Sequence, residues 1–254
     1  MNVHILDGGE MACTDGSFLS SQYNQGMHIA LANPVFLIEH PKGRVLWDTG
    51  LADGLHTEKD GVENWIFKLK VNQTLLKQLN ELELRPGDID YLAFSHMHID
   101  HTGNANYFPH STIIMQEAEY AHAFAAPSKP MNYADYEGLS DSTFMKLDGD
   151  YDLFGDGLIT FIATPGHTPG HQSLMLRLQD TTMIISGDVS YTQHHFDSEG
   201  IPIFNTDPEA SRQSIAKIRR WLVDHDAQLW IQHDVEHYAS RKAKNRRNER
   251  ITRK

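Results

Sequence analysis

Short apolar runs bounded by turn residues recur along the chain in two groups. The first group holds PVFLIEH (34–40), GRVLWD (43–48), YLAFS (91–95) and STIIMQ (111–116). The second holds GLITFIAT (157–164), SLMLRL (173–178), TTMIIS (181–186) and QLWIQ (228–232). Each is short and rich in branched or aromatic side chains, which predicts strands. Two stretches carry a helical period instead. In NQTLLKQLNELEL (72–84), Leu75, Leu76, Leu79 and Leu82 make a single apolar stripe that Pro86-Gly87 closes. In DPEASRQSIAKIRRWLVD (207–224), Asp207 is placed as an N-cap, Pro208 at the first helical position, and Ile215, Ile218 and Leu222 on the buried face. Helices set among short strands predict a layered α/β domain. The segments 51–70 and 120–150 follow neither period and predict long surface loops or short helices.

At 254 residues the chain can bury one sizeable core. The formal net charge of −12 disfavours a polyanionic partner such as nucleic acid or an anionic membrane surface. Positive charge is concentrated from Arg241 onward. There eight Lys/Arg stand against one Glu, so that stretch is +7 and the rest −19. No aromatic residue beyond Arg241 could stack a base, so the reading is a solvated tail rather than a nucleic-acid arm. We expect one domain over 1–240 and a basic tail over 241–254. Cys13 is the only cysteine, which excludes an intrachain disulfide. The first basic residue is Lys42, and no apolar run approaches the roughly 18 residues of a membrane span, so the expectation is a cytoplasmic protein.

Candidate chemistry is concentrated after the strands. In AFSHMHIDHTGN (93–104), His96, His98, Asp100 and His101 fall within six positions. On a helix they would point at about 0°, 200°, 40° and 140°, so they share no face, and on a strand His101 would oppose the other three. They converge only if the chain turns sharply after Ser95. His167, Asp188 and His233 likewise follow apolar runs, and the carboxyl ends of strands are where α/β sheets usually assemble ligands. Imidazole and carboxylate together suit zinc and related divalent ions without cysteine. Five histidines and two aspartates exceed the needs of one tetrahedral ion and are best divided between two, with one carboxylate bridging. His171, four residues after His167, reads equally as support for the site or as surface. The remaining histidines read as ordinary structural residues.

His96-Met97-His98-Ile99-Asp100-His101 resembles the His-x-His-x-Asp-His signature of the metallo-β-lactamase superfamily. The likeness continues through LWDTG (46–50), TPGHTPGHQSL (164–174), GDVSYT (187–192) and QHD (232–234). Within that superfamily the chain is most similar to the N-acyl homoserine lactonases. The resemblance implies a four-layer αββα sandwich with the site at one edge. It also implies that His96, His98 and His167 bind one zinc, that Asp100, His101 and His233 bind the other, and that Asp188 bridges. Cobalt, manganese or iron could stand in for zinc. Tyr191 would hydrogen-bond a small-molecule lactone substrate, and Asp48 would be a buried supporting carboxylate. The implied reaction is attack of a bridging hydroxide on the lactone carbonyl, with Asp100 the candidate to protonate the departing alkoxide. The resemblance also admits a homodimer. The alternatives are another lactonase, such as a pyridoxolactonase-like enzyme, or an ester or phosphotriester hydrolase on the same site.

Overall fold

The computed structural model describes residues 1–20, 24–125 and 130–240. The expected basic tail over 241–254 lies outside them. Among the described residues thirteen strands form two sheets. The first comprises β1 (Asn2–Cys13), β2 (Ile29–His40), β3 (Gly43–Trp47), β4 (Val62–Asn64), β5 (Phe67–Lys70), β6 (Tyr91–Ala93), β7 (Thr112–Gln116) and β8 (Phe144–Leu147), in the order β4-β5-β1-β2-β3-β6-β7-β8. The second comprises β9 (Tyr151–Asp152), β10 (Ile159–Ala163), β11 (Gln172–Arg177), β12 (Thr182–Ile185) and β13 (Ala227–Trp230), in the order β13-β12-β11-β10-β9. The helices are α1 (Leu75–Glu81), α2 (Ile99–Thr102), α3 (Glu117–Tyr120), α4 (Gln193–Ser198) and α5 (Pro208–Asp224).

The layering follows from the period of two along each strand. Phe36, Ile38, Val45, Trp47, Ala93 and Ile114 of the first sheet meet Ile159, Phe161, Leu174, Leu176, Ile185 and Trp230 of the second in one buried cluster. Phe36 and Trp230 pack edge to face across that interface at 4.9 Å. Their neighbours in sequence point the other way. Val35, Leu37, Leu46, Leu92, Ile113 and Met115 pack with Leu75 and Leu79 of α1. Ile162, Met175 and Ile184 pack with Ile215 and Ile218 of α5. The result is the four-layer αββα sandwich. Among the described residues no helix is long and apolar enough to cross a membrane.

The eight expected strands are present, and α5 begins as expected, with the Asp207 carboxylate accepting from the backbone N–H of Glu209 and Ala210. Three expectations need correction. Leu76 is 37% exposed, and the third buried position of α1 is the polar Gln78. Its side chain accepts from Asp7 N and donates to Asp7 O, which satisfies backbone groups in the middle of β1. Residues 51–70 are not mere loop, because β4 and β5 form a hairpin that joins the first sheet through β1. Within 120–150, β8 adds a parallel edge strand beside β7.

β1 went unpredicted because Asp7-Gly8-Gly9-Glu10 interrupts its apolar pattern. The structure places a β-bulge there, with Asp7 opposite Pro34 but Glu10 opposite Ala32. The bulge brings Gly8 against the turn after β3, where Leu51 N donates to Gly8 O. Gly50 has φ +71°, and a Cβ on it would stand 2.5 Å from Gly8 Cα. Gly50→Ala should therefore lower unfolding stability by at least about 2 kcal/mol in a urea titration. An unchanged midpoint would show that the two backbones can part without cost.

Candidate metal centre

Every expected ligand follows the carboxyl end of a strand. His96 comes after β6, His167 after β10, Asp188 after β12 and His233 after β13, while Asp100 and His101 lie in the single turn of α2. The two sheets present these ends along one edge of the sandwich, and the side chains converge. The ligand atoms of His96, His98 and His167 lie within 4.8 Å of one another, and so do those of Asp100, His101, Asp188 and His233. All are buried except His98, which is partly exposed.

Hydrogen bonds on the far sides of the rings fix which nitrogen carries a proton. His101 Nδ1 donates to Asp48 Oδ2 at 2.8 Å, and His233 Nδ1 donates to Ala32 O at 2.8 Å. For His167 the assignment takes two steps. Ser211 Oγ donates to Asp207 O, so it must accept from Asn205 Nδ2. The Asn205 oxygen therefore faces His167 Nδ1, 2.9 Å away, and that nitrogen donates. When these three rings are neutral, Nε2 therefore carries the lone pair and faces the cluster.

Those lone pairs meet each other and negative charge. His96 Nε2, His98 Nδ1 and His167 Nε2 lie 2.9 to 3.1 Å apart. Asp188 Oδ1 is 3.0 Å from His233 Nε2 and 3.2 Å from His101 Nε2. Its Oδ2 is 3.5 Å from His167 Nε2, so the carboxylate stands between the two groups. Asp100 Oδ2 is 3.3 Å from His101 Nε2 and 3.6 Å from His233 Nε2. Lone pairs at such distances repel unless a proton or a cation lies between them. His101 Nε2 is buried between these two carboxylates and makes no hydrogen bond of good geometry among the described residues. Burial and the charge of neighbouring histidines push His98 down to about 3, so its ring is neutral at pH 7. Burial also disfavours charge on His101, yet Asp100, Asp188 and Asp48 hold it well above the usual histidine range. The field at that point favours positive charge. The residues present therefore fit divalent cations.

A supporting network holds the ligands. Asp48 has φ +59°, a conformation that aspartate tolerates better than most residues, and it lies between the sheets. Its carboxylate accepts from Ser95 N, Ser95 Oγ, His101 Nδ1 and Gln232 Nε2 at 2.7 to 3.0 Å. Because Gln232 follows β13 of the second sheet and Asp48 follows β3 of the first, this bond ties the two halves together. Glu119, at the start of α3, accepts from Met97 N, Thr168 Oγ1 and Gly170 N, so it clamps the His-x-His turn to the turn carrying His167. His171 is fully buried. Its Nε2 accepts from Asp188 N and its Nδ1 donates to Thr164 O, so it supports Asp188 with both nitrogens engaged.

The sequence points to Asp48 through LWDTG and to His171 through its place four residues after His167. Glu119, Asn205, Asn33 and Gln232 were not read as supports. Asn33 Nδ2 donates to Asp100 O at 2.7 Å. No local pattern marks these four, since each acts across a fold that brings distant turns together.

Tyr191 is buried beside the cluster. Its ring stacks on His233 at 5.1 Å, and burial, with the charges of Asp188 and Asp100, holds its phenol well above the usual range, so it remains a donor. A cavity of about 620 Å³ opens beside it, and His98, Asp100 and Tyr191 are among the residues that line it. Its lining includes the apolar side chains of Met11, Trp65, Phe67, Leu69 and Phe204, together with Pro130, Met131, Asn132, Ala134 and Asp135. The β4–β5 hairpin thus shapes the cavity.

The family model of the metallo-beta-lactamase superfamily matches residues 29–227. An N-acyl homoserine lactonase, AttM, of Rhizobium radiobacter is 32% identical over 252 residues, covering 94% of this chain and 95% of that protein. An N-acyl homoserine lactonase of a Bacillus species is 28% identical over 230 residues, covering 87% and 89%. A crystal structure of an N-acyl homoserine lactone hydrolase, with the product N-hexanoyl-L-homoserine bound at its catalytic metal centre, superposes with a TM-score of 0.81. It is 26% identical and covers 94% of this chain and 95% of that one.

Replacing Asp48 tests the supporting network. Asp48→Ala leaves His101 Nδ1, Ser95 and Gln232 without their shared acceptor and should weaken divalent-metal affinity about 10- to 100-fold in chelator competition. The variant should also lose roughly 3–5 kcal/mol of stability. Wild-type affinity in a folded variant would show that His101 is oriented by other means.

Proposed function

The chain belongs to the metallo-beta-lactamase superfamily, and from that premise we propose that it is a dinuclear-metal lactonase that opens the ring of N-acyl homoserine lactones. The observation that carries the reading is the Asp188 carboxylate, one oxygen toward His101 and His233 and the other toward His167, with Tyr191 stacked on His233 and lining a part-apolar cavity. In this reading His96, His98 and His167 hold one ion, Asp100, His101 and His233 hold the other, and Asp188 is shared. Zinc suits the nitrogen and oxygen donors best, and cobalt, manganese or iron are also accommodated by them. Two such ions supply Lewis acidity for a carbonyl oxygen and bring the pKa of a water toward neutrality.

The protein's own residues account for the rest. Hydrolysis forms one bond, from water oxygen to the lactone carbonyl carbon, and breaks one, from that carbon to the ring oxygen. The Tyr191 hydroxyl donates to the carbonyl oxygen as negative charge develops on it. Asp100 takes the proton released by the attacking water and returns it to the ring oxygen as the alkoxide leaves, so no proton is gained or lost overall. The apolar wall excludes water from the acyl substituent. The similarity of the chain to named N-acyl homoserine lactonases over nearly its whole length supports this substrate over a phosphotriester or a β-lactam.

Purified protein should carry about two divalent ions per chain by elemental analysis. Asp188→Ala should lower that number, and one ion unaffected by the substitution would contradict the dinuclear reading. Tyr191→Phe should retain the metal and lose about 10- to 1,000-fold in kcat on an N-acyl homoserine lactone, as loss of one oxyanion donor does. A substrate panel of acyl homoserine lactones, pyridoxolactone, a phosphotriester and a β-lactam decides the class, and turnover of only the last two would refute it.

A further inference from the structure

The cavity beside the metal centre contains a carboxylate that the reaction above does not use. Asp135 closes a short 3-10 turn, Tyr133–Asp135, and lines the same cavity as Trp65, Phe67 and Phe204. Asp100 and Asp135 are its two lining carboxylates among the described residues. Asp100 is engaged with His101 and His233, whereas the Asp135 side chain has neither a hydrogen bond nor an ion pair among the described residues.

The neighbouring residues hold Asp135 in place. Asn132 Nδ2 donates to Met97 O at 3.0 Å and to Thr102 Oγ1 at 3.1 Å, which ties this segment to the His-x-His turn. Asn106 Nδ2 donates to Ala134 O at 2.8 Å. On the other side Tyr136 is fully buried in the outer core of the first sheet. With anchors before and after it, the carboxylate stays half-buried against the cavity. Burial pushes it up to about 6, so it is largely ionised at neutral pH and can only accept hydrogen bonds. A half-buried acceptor without a donor is disfavoured, and a bound molecule that supplies one gains from it.

Resting on the lactone reading, we propose that Asp135 is a specificity-determining residue that accepts a hydrogen bond from the N–H of the substrate amide. In an N-acylamino lactone that N–H lies between the ring, which belongs beside Asp100 and Tyr191, and the acyl chain, which belongs on the apolar wall. Asp135 lines the same cavity as both. The chain would thereby select lactones carrying an acylamino group over alkyl lactones that present the same ring and tail without a donor. A cationic ligand would satisfy the carboxylate equally but would gain nothing from the apolar wall.

The test uses the metal-loaded protein with three substrates: an N-acyl homoserine lactone, an alkyl γ-lactone of matched chain length, and homoserine lactone with its free amine. Asp135→Ala should lose about tenfold or more in kcat/KM on the N-acyl lactone, mainly through KM. The alkyl lactone should change less than about twofold. Asp135→Asn keeps an acceptor oxygen and should restore most of the loss, and thermal melting reports whether each variant is folded. Equal losses on acyl and alkyl lactones, no loss on either, or a loss confined to the free amine would each overturn the proposal. If the unsubstituted protein opens none of the lactones, the lactone reading fails and this inference falls with it.

Discussion

Four carboxylates, from Asp48, Asp100, Glu119 and Asp188, are buried in or against one group of histidines, and that much negative charge in a water-poor volume has to be compensated. Asp48 and Glu119 are compensated by donors from several segments. Asp100 and Asp188 instead face chiefly the rings of His101, His167 and His233. Their nearest polar neighbours inside the cluster are ring nitrogens, and the outer hydrogen bonds of His101, His167 and His233 turn lone pairs toward that space. Cations resolve the arrangement at once, by accepting the lone pairs and neutralising the carboxylates.

The fold serves this constraint. Strands of two sheets end along one edge, and the turns that follow them are short enough for each to deliver a ligand or a support. Asp48 and Gln232 bond across the sheets, Trp47 Nε1 donates to Gln232 Oε1, and the same tryptophan fills the core behind them. Packing and polar order are therefore joined at that point. The glycines near the site serve the same closeness. Gly187 has φ +55°, and a Cβ on it would stand 2.5 Å from His171 Nε2, which is the nitrogen that holds the Asp188 backbone.

What the sequence reveals divides along physical lines. Strands whose two faces are both buried read as apolar runs, and most of the eight seen in the sequence are of that kind, the edge strand β13 being the more exposed. β1 escaped because a two-glycine bulge breaks its pattern, and β4 and β5 because one face of the hairpin meets solvent while the other lines a cavity. Leu76 and Gln78 exchanged their expected burial in α1 because the backbone of β1 needed polar partners. The positions that converge in the cluster are legible, since a histidine or aspartate just after an apolar run is a local signal. Glu119, Asn205 and Asn33 were not, because their roles depend on chain segments 22 to 67 residues away that only the fold brings near.

The central claim is that Asp188 stands between two cations held by separate sets of ligands. Anomalous diffraction from crystals of the zinc-loaded protein tests it directly. The account predicts two peaks, one among His96, His98 and His167 and the other among Asp100, His101 and His233, with the Asp188 carboxylate in contact with both. A single peak, or two peaks with Asp188 turned away from either, would contradict it.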